Sequence, residues 1–402
     1  MELVFWLCLG LVAYTYAGYA LVLAGWTGLR EAWEGVRFVM GGPDRRARRR
    51  EDRWPSLTIV VAAYDEERCI RQRVENLLAL DYPPDRLEIL VGCDGCSDDT
   101  AALARSVDDP RVTVVELSPR AGKASVLSRL VPRAKGDVVV LTDANTSFDP
   151  AAAKALARHF HDPSVGAVVG RLRLYNRVKR DYEESLYWKY ETALKWFEGK
   201  QGCVVGANGG IYAVRRLLFQ PLRESTIVDD FVVPVRIALR GWKIPFEPEA
   251  VAYEETTEDV GREFSRRARI GAGNWQALAL VPDLLDPRAG FLHFAFVSHK
   301  LVRWLAPLFL ALALALSFPL ALRGRVLYAA LLAAQLAFYA LAAAGWRGVH
   351  GPLRRGASTA YYFVSMNLAL AVGFWRFVRG TQRATWQRTA RTGAPGAGVR
   401  PA

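Results

Sequence analysis

The sequence predicts an α/β domain, a mostly parallel sheet with flanking helices, joined to transmembrane α-helices at the N- and C-terminal ends of the chain. Composition is the first observation behind this. Of the 402 residues 51% are apolar and 23% charged, so the two populations have to be segregated along the chain. The second is their placement, with long apolar runs only near the two ends. The third is the stretch from Trp54 to Gly170, where short apolar runs alternate with helix-periodic segments. That rhythm belongs to βαβ units, whose crossover helices cover the faces of a parallel sheet.

Leu3 to Trp26 is almost wholly apolar and long enough to cross a bilayer. It lacks a basic start and a small-residue cleavage site, so residues 1–28 read as a membrane anchor. Residues 29–53 form a basic linker with Arg30, Arg37 and the run Arg45 to Arg50. Basic residues directly after a span mark the cytoplasmic side. This places the chain in the cell (inner) membrane with its middle domain in the cytoplasm. The formal net charge of +13, from 53 Lys and Arg against 40 Asp and Glu, suits anionic lipid, nucleic acid or phosphorylated substrates. The basic run adjoins a span and has no interleaved aromatics, which selects membrane lipids and excludes nucleic acid as its partner.

Residues 54–260 carry the α/β pattern. Leu57 to Ala62 reads as a strand ending in AAYDEE, Ile70 to Leu80 as a helix, and Leu87 to Gly92 as a strand running into CDGCSDDT. Asp98 or Asp99 caps the next helix. Val112 to Leu117 is a third strand, Ala124 to Leu130 a helix, and Val138 to Thr142 a fourth strand. Polar clusters around Asp65, Asp94 and Asp143 each follow the carboxyl end of a strand, where an open α/β sheet binds its ligand. In DAN, Asp143 to Asn145, a carboxylate and an amide oxygen two residues apart on a turning chain can face one hard cation, which prefers oxygen ligands and keeps phosphate as its other partner.

Further on, Val165 to Gly170 reads as a strand and Tyr182 to Phe197 as a helix rich in Tyr and Trp. In GANGGIYAVRR, Gly206 to Arg216, the glycines allow close approach of backbone to a ligand, and Arg215 and Arg216 are candidates for phosphate. Asp229 and Asp230 open a helix, where one carboxylate suffices as a cap. Residues 261–300 are expected to form amphipathic interfacial helices. Their segment Glu263 to Leu278 suits either a diphosphate or the membrane surface. Residues 301–379 hold two or three spans, Leu301 to Leu322, Val326 to Ala344 and Ala357 to Val378, the last interrupted by Ser358, Ser365 and Asn367. If all three cross, the basic tail 380–402 emerges on the outer side, against the positive-inside tendency. Otherwise the third lies in the interface and the tail is cytoplasmic.

The five cysteines are irregularly spaced and form no secreted disulfide framework. Cys93 and Cys96 form a lone C-x-x-C with no second pair to complete a zinc site. His159 and His161, two apart on a helix, point to different faces.

With these motifs laid out, the chain resembles the family 2 glycosyltransferases, in particular the membrane-embedded group of cellulose, hyaluronan and poly-N-acetylglucosamine synthases. VVAAYDEE is similar to the first nucleotide-contacting motif, CDGCSDDT to D-G-S-x-D-x-T, Gly122-Lys123 to the G-K of the donor site, DAN to the D-x-D metal motif, and VDD to T-E-D. The resemblance implies a GT-A-like sheet domain. It implies donor contacts at Ala63, Tyr64, Asp65, Glu67, Asp94, Lys123, Asp143 and Ala144, a divalent cation (Mg or Mn) on Asp143 and Asn145, and a general base at Asp230. Asn145 stands where the family carries a second Asp. RRARI falls on Q-x-x-R-W, which implies donor contacts at Arg266 and Arg269. Arg269 matches the Arg of that motif, while Arg266 replaces Gln and Ile270 replaces the Trp associated with the acceptor of processive members. The implied activity is inverting transfer from a nucleotide-diphospho-sugar, expected to be a UDP-sugar, to a hydroxyl of a membrane-associated saccharide or lipid-linked acceptor. A catalytically silent scaffold retaining the fold is the alternative.

Overall fold

The computed structural model describes residues 1–41, 54–175, 186–255 and 260–384. The chain forms two compact units, one comprising residues 1–22, 259–279 and 293–382, the other residues 23–258, 280–292 and 383–402. The first helix, α1 (Glu2–Val39), contributes to both.

The larger unit is built on one sheet. Its elements run β1 (Leu57–Ala63), α2 (Ile70–Leu78), β2 (Leu87–Asp94), α3 (Thr100–Arg105), β3 (Val112–Leu117), α4 (Lys123–Leu130), β4 (Val138–Asp143) and β5 (Thr146–Phe148). They continue with α5 (Ala152–Ala157), β6 (Ala167–Tyr175), α6 (Leu186–Lys200), β7 (Tyr212–Arg215), α7 (Asp229–Leu239) and β8 (Phe246–Glu255). The eight strands lie in the order β3-β2-β1-β4-β7-β6-β8-β5. The half β3-β2-β1-β4 is parallel throughout, as the sequence leads one to expect. The other half is mixed: β7 is antiparallel to β4 and β6, β8 is parallel to β6, and β5 is antiparallel to β8. The change of sense begins at β4, where β7 runs antiparallel to it; the two-residue turn Ala144-Asn145 is too short for a parallel crossover to β5. The chain therefore leaves β4 and pairs β5 with β8.

Continuous apolar runs become central strands because both of their faces are covered; β1 is buried at every position. On one face Ile59, Val61, Ile89 and Val91 pack with Ile70, Val74 and Leu77 of α2. On the other, α4 closes down on Gly92, where an added Cβ would lie 2.5 Å from Val126 Cγ1. Glycine at that position sets the depth of α4, and so the height of Lys123 at its start.

The smaller unit is helical: α8 (Val260–Leu280), α9 (Phe291–Ala321), α10 (Val326–Trp346) and α11 (Arg354–Val378). Among the described residues four helices, α1, α9, α10 and α11, are long and apolar enough to cross a membrane. Helix α9 starts ten residues before the apolar run Leu301 to Leu322, so part of the expected interfacial segment belongs to this longer helix. Of the polar residues that interrupt α11, Ser365 and Asn367 are buried and Ser358 is exposed; Tyr16 Oη donates to Asn367 Oδ1 at 3.3 Å. Small residues let α8 and α11 approach closely. A Cβ at Gly373 would meet Ala268 O at 2.7 Å and Gly271 Cα at 2.8 Å.

Candidate active site

The carboxyl ends of β1, β2 and β4 lie side by side, since Ala63 pairs with Cys93 and Ala62 with Asp143. After β1, Asp65 adopts a positive φ of 51° and its Oδ1 accepts the Ser97 N–H at 2.7 Å, which ties the first loop to the second. The Arg120 guanidinium lies over the Tyr64 ring at 3.4 Å. The backbone N–H of Glu67 reaches Asp98 Oδ2 at 3.3 Å. The helix after the second loop takes the Asp98 carboxylate, not that of Asp99, on the N–H of Thr100 at 3.0 Å.

Asp94, at the end of β2, is buried, and its two oxygens accept the N–H groups of Ala121 and Gly122, each at 2.8 Å. Gly122 has φ 95°, a conformation open to glycine at little cost. Asp94 thus holds the loop that delivers Lys123. The Lys123 ammonium donates to Asp143 Oδ1 at 2.8 Å and lies 3.4 Å from Asp229 Oδ2. Burial draws the Lys123 pKa down, but the charges of Asp143, Asp229 and Asp230 outweigh it and the net shift is upward.

Asp143 is set by its neighbour. Thr142 Oγ1 accepts from the buried Arg73 at 2.7 Å and donates to Gly210 O, also at 2.7 Å. The end of β4 is thereby fastened to the glycine turn before β7. Burial holds the Arg73 guanidinium down at about 9, against the opposing charge of Asp143. Ala144 is buried, with its carbonyl 3.7 Å from Cys69 Sγ. Asn145 Nδ2 lies 3.4 Å from Glu254 Oε1.

Asp229 and Asp230 open α7. Asp229 is buried and accepts from Tyr212 Oη at 3.3 Å. Burial first, then the charge of Asp229, push the Asp230 carboxyl up to about 6, against the pull of Lys123 and Lys195. Gly209 marks where these groups converge. A Cβ built there would lie 3.4 Å from Asp230 Oδ2, 3.4 Å from Lys123 Nζ and 3.5 Å from Asp143 Oδ2. Acids separated by more than eighty residues of sequence therefore meet around one backbone position. A carboxylate with one oxygen on Lys123 and the other turned toward Gly209 is an oxygen donor that suits a hard divalent cation completed by phosphate oxygens.

Arg266 and Arg269 belong to the helical unit, on α8. Arg266 is exposed, 3.8 Å from Glu263 Oε2, and Arg269 is half-buried. Arg215 and Arg216 do not serve phosphate. They sit at the start of β4, with Arg215 paired to Val138. Their guanidinium groups donate to the carbonyls of Val165, Phe160 and Asp162, and of Gly136. His159 pairs with Glu247. Among the described residues, Asp65, Cys96 and Asp98 also bring ligand atoms within 4.8 Å of one another, but Ser97 holds Asp65 and Thr100 holds Asp98 in loop turns.

Sequence reasoning passed over Lys195; Gly209 was among the glycines of GANGGIYAVRR read as admitting a ligand. The signal for Lys195 was present in YETALKWFEGK: Glu191, Lys195 and Glu198 recur at helical spacing on one face of α6, and all three are buried. Buried charge at that density indicates a task beyond solvation.

The family model described as glycosyltransferase like family 2 matches residues 55–273. Poly-beta-1,6-N-acetyl-D-glucosamine synthase of Staphylococcus aureus is 29% identical over 242 residues, 56% of this chain and 56% of that protein. A probable glycosyltransferase, YdaM of Bacillus subtilis, is 28% identical over 235 residues, 55% of each chain. The chain thus matches about half the length of these curated relatives. Among solved structures, the mannosyltransferase PcManGT from Pyrobaculum calidifontis, in complex with GDP-Man and Mn2+, superposes with a TM-score of 0.63 at 25% identity. That likeness covers 92% of this chain and 99% of the other. On this evidence the chain belongs to glycosyltransferase like family 2, and its sheet is of the GT-A type.

Proposed function

We propose that the enzyme transfers a sugar from a nucleotide-diphospho-sugar to a hydroxyl of a membrane-associated saccharide or lipid acceptor, with inversion at the anomeric carbon. The observation that carries this is the convergence of Asp230, Lys123 and Asp143 on Gly209. The acceptor hydroxyl is a weak nucleophile near neutral pH, so a carboxylate has to take its proton as its oxygen attacks. Asp230, held up to about 6, is poised for that task. The oxygen lone pair forms the new C–O bond, the proton passes to Asp230, and the electrons of the breaking C–O bond leave on the diphosphate. Attack opposite the leaving group inverts the centre. Lys123 faces the developing charge as a fixed cation. Asp143 and Asn145 would hold a divalent cation, which neutralises the leaving diphosphate when bound; the solved mannosyltransferase holds Mn2+. Ala63, Tyr64, Asp65, Glu67 and Ala144 lie at or after the ends of β1 and β4 and serve the rest of the donor, and Asp94 serves it through the loop that it holds before Lys123. The sheet domain faces the cytoplasm of the inner membrane, on the side of the basic residues that follow α1.

Single transfer is favoured over polymerisation. Ile270 stands where processive members carry Trp. Trp275, the nearest alternative, packs its ring against Trp304 at 5.8 Å and Phe374 at 5.0 Å inside the helical unit.

The test is nucleotide release by the protein purified in lipid, with UDP-N-acetylglucosamine and GDP-mannose as first probes, with and without EDTA, followed by sizing of the labelled product. Release abolished by EDTA and a single-sugar product support the reading. A donor-independent or EDTA-insensitive signal overturns it.

A further inference from the structure

Helix α6 buries Glu191, Lys195 and Glu198 at 7%, 7% and 0% exposure along one face. Two of them grip the segment that leads to the glycine turn. Glu198 Oε2 accepts the Val205 N–H at 3.0 Å. The Lys195 ammonium donates to Asn208 Oδ1 and reaches Ala207 O at 3.5 Å. Asn208 in turn donates from Nδ2 to Gly170 O of β6 at 3.0 Å. The Ala207 N–H donates to the backbone carbonyl of Asp230 at 2.8 Å. The turn Ala207–Gly209 is therefore strung between α6, β6 and α7, and its last residue is the one against which Asp230, Lys123 and Asp143 converge.

We propose that Lys195 is a positioning residue for the transfer reaction: acting through Asn208, it sets the Ala207–Gly209 turn so that the acceptor hydroxyl can reach the Asp230 carboxylate. This rests on the reading of Asp230 as the base. A buried ammonium costs several kcal/mol of desolvation unless it is fully hydrogen-bonded, which makes Lys a poor choice for mere packing on this face. The two oxygen acceptors of the turn, one side-chain and one backbone, give it a geometry that an apolar residue does not reproduce. The groups facing Asp230 are Asp229 on its own helix, Lys123 on α4, Asp143 on β4 and Lys195 on α6. Of the two cations, Lys123 also pairs with Asp143 at 2.8 Å, whereas Lys195 approaches through the turn. A displacement of about 1 Å at a reacting group costs on the order of 100-fold in rate.

The experiment uses the full chain in lipid with Mn2+ and whichever of the two probe donors releases nucleotide. Lys195→Met is expected to lower kcat about 100-fold while donor KM and binding of the labelled donor change less than about threefold. Lys195→Arg, which keeps a donor to Asn208, recovers about tenfold of the loss. Asn208→Ala is slowed like Lys195→Met, and the double variant is no slower than the slower single, because the two act as one unit. Lys195→Met turning over within threefold of the parent, multiplying losses in the double variant, or donor affinity falling with kcat would each overturn the proposal. Asn208→Ala supplies the readout should Lys195→Met not fold, and a cooperative thermal transition reports folding for both. Asp230→Asn run in parallel separates the two ideas. An active Asp230→Asn removes the base reading on which this one stands. An inactive Asp230→Asn beside an active Lys195→Met removes only the role of Lys195.

Discussion

Lys123 reaches across from the first turn of α4 to the last residue of β4, placing its ammonium 2.8 Å from Asp143 Oδ1. The pair neutralises a carboxylate aimed at the substrate side and keeps a cation where diphosphate charge develops. Lys123→Met is expected to cost about 2.7–4 kcal/mol of transition-state stabilisation, roughly 100- to 1,000-fold in kcat/KM. Asp143→Ala should act earlier, abolishing the metal dependence of donor binding. Equilibrium binding of labelled donor with and without EDTA distinguishes the two. Equal binding in all four conditions would refute the role of Asp143.

The elevated Asp230 carboxyl predicts a pH profile. A general base works only when deprotonated, so kcat/KM should be level above its pKa and fall tenfold per pH unit below about 6. Asp230→Asn should retain donor binding and lose transfer. In Asp229→Asn the neighbouring negative charge is gone, so the Asp230 pKa drops and the acid limb moves to lower pH. An unmoved limb, or a limb displaced upward, contradicts the assignment.

Gly209 offers a test in which stability and activity separate. A methyl group there lies 3.4–3.5 Å from Asp230, Lys123 and Asp143, contacts the fold can accommodate. It occupies the point on which the reactive groups converge. Gly209→Ala should melt within about 2 °C of the parent, a shift expected for well under 1 kcal/mol, yet lose about 100-fold in kcat/KM. Thermal midpoint and rate, measured on one preparation, check both halves.

Away from the site, Glu247 is buried on β8 and takes Arg158 at 2.5 Å and His159 at 2.7 Å. Burial raises its pKa, but the hydrogen bonds from His159, the Glu249 backbone and Arg158 prevail and the net shift is downward. A carboxylate with a lowered folded pKa stabilises the protein above its unfolded value, about 4.3, and the contribution is lost as pH falls through the folded value. Glu247→Gln should therefore destabilise by about 1–2 kcal/mol at pH 7, since Arg158 keeps Glu249 at 2.6 Å. The penalty should shrink below about pH 4. Melting curves at the two pH values measure it; a constant penalty would show the loss to be one of packing.

How far the sequence was legible follows from how each residue is held. The strands β1 to β4 stood out because their runs are apolar and uninterrupted, and β3 matches its expected bounds at both ends. The later strands did not. Tyr212–Arg215 was hidden behind glycines that read as a loop, and Phe246–Glu255 alternates with acids and a proline. Arg215 and Arg216 suggested phosphate because their type suits it. Strand pairing carried them to the far end of β4, where backbone carbonyls claim them.

The alternation and length of apolar runs determined by themselves an α/β domain flanked by helices long and apolar enough to cross a membrane, since period and composition act locally and survive without knowledge of partners; the likeness of the motifs to those of family 2 supplied the chemistry to expect. Tertiary structure alone decided that Asp143, Asp230 and Lys123 share one point at Gly209, that Asp94 spends its oxygens on the loop before Lys123, and that Lys195 belongs to the same neighbourhood. Those facts depend on which strand lies beside which and on the depth to which a helix settles. These are long-range packing outcomes, in which residues far apart in sequence are brought to within hydrogen-bond distance.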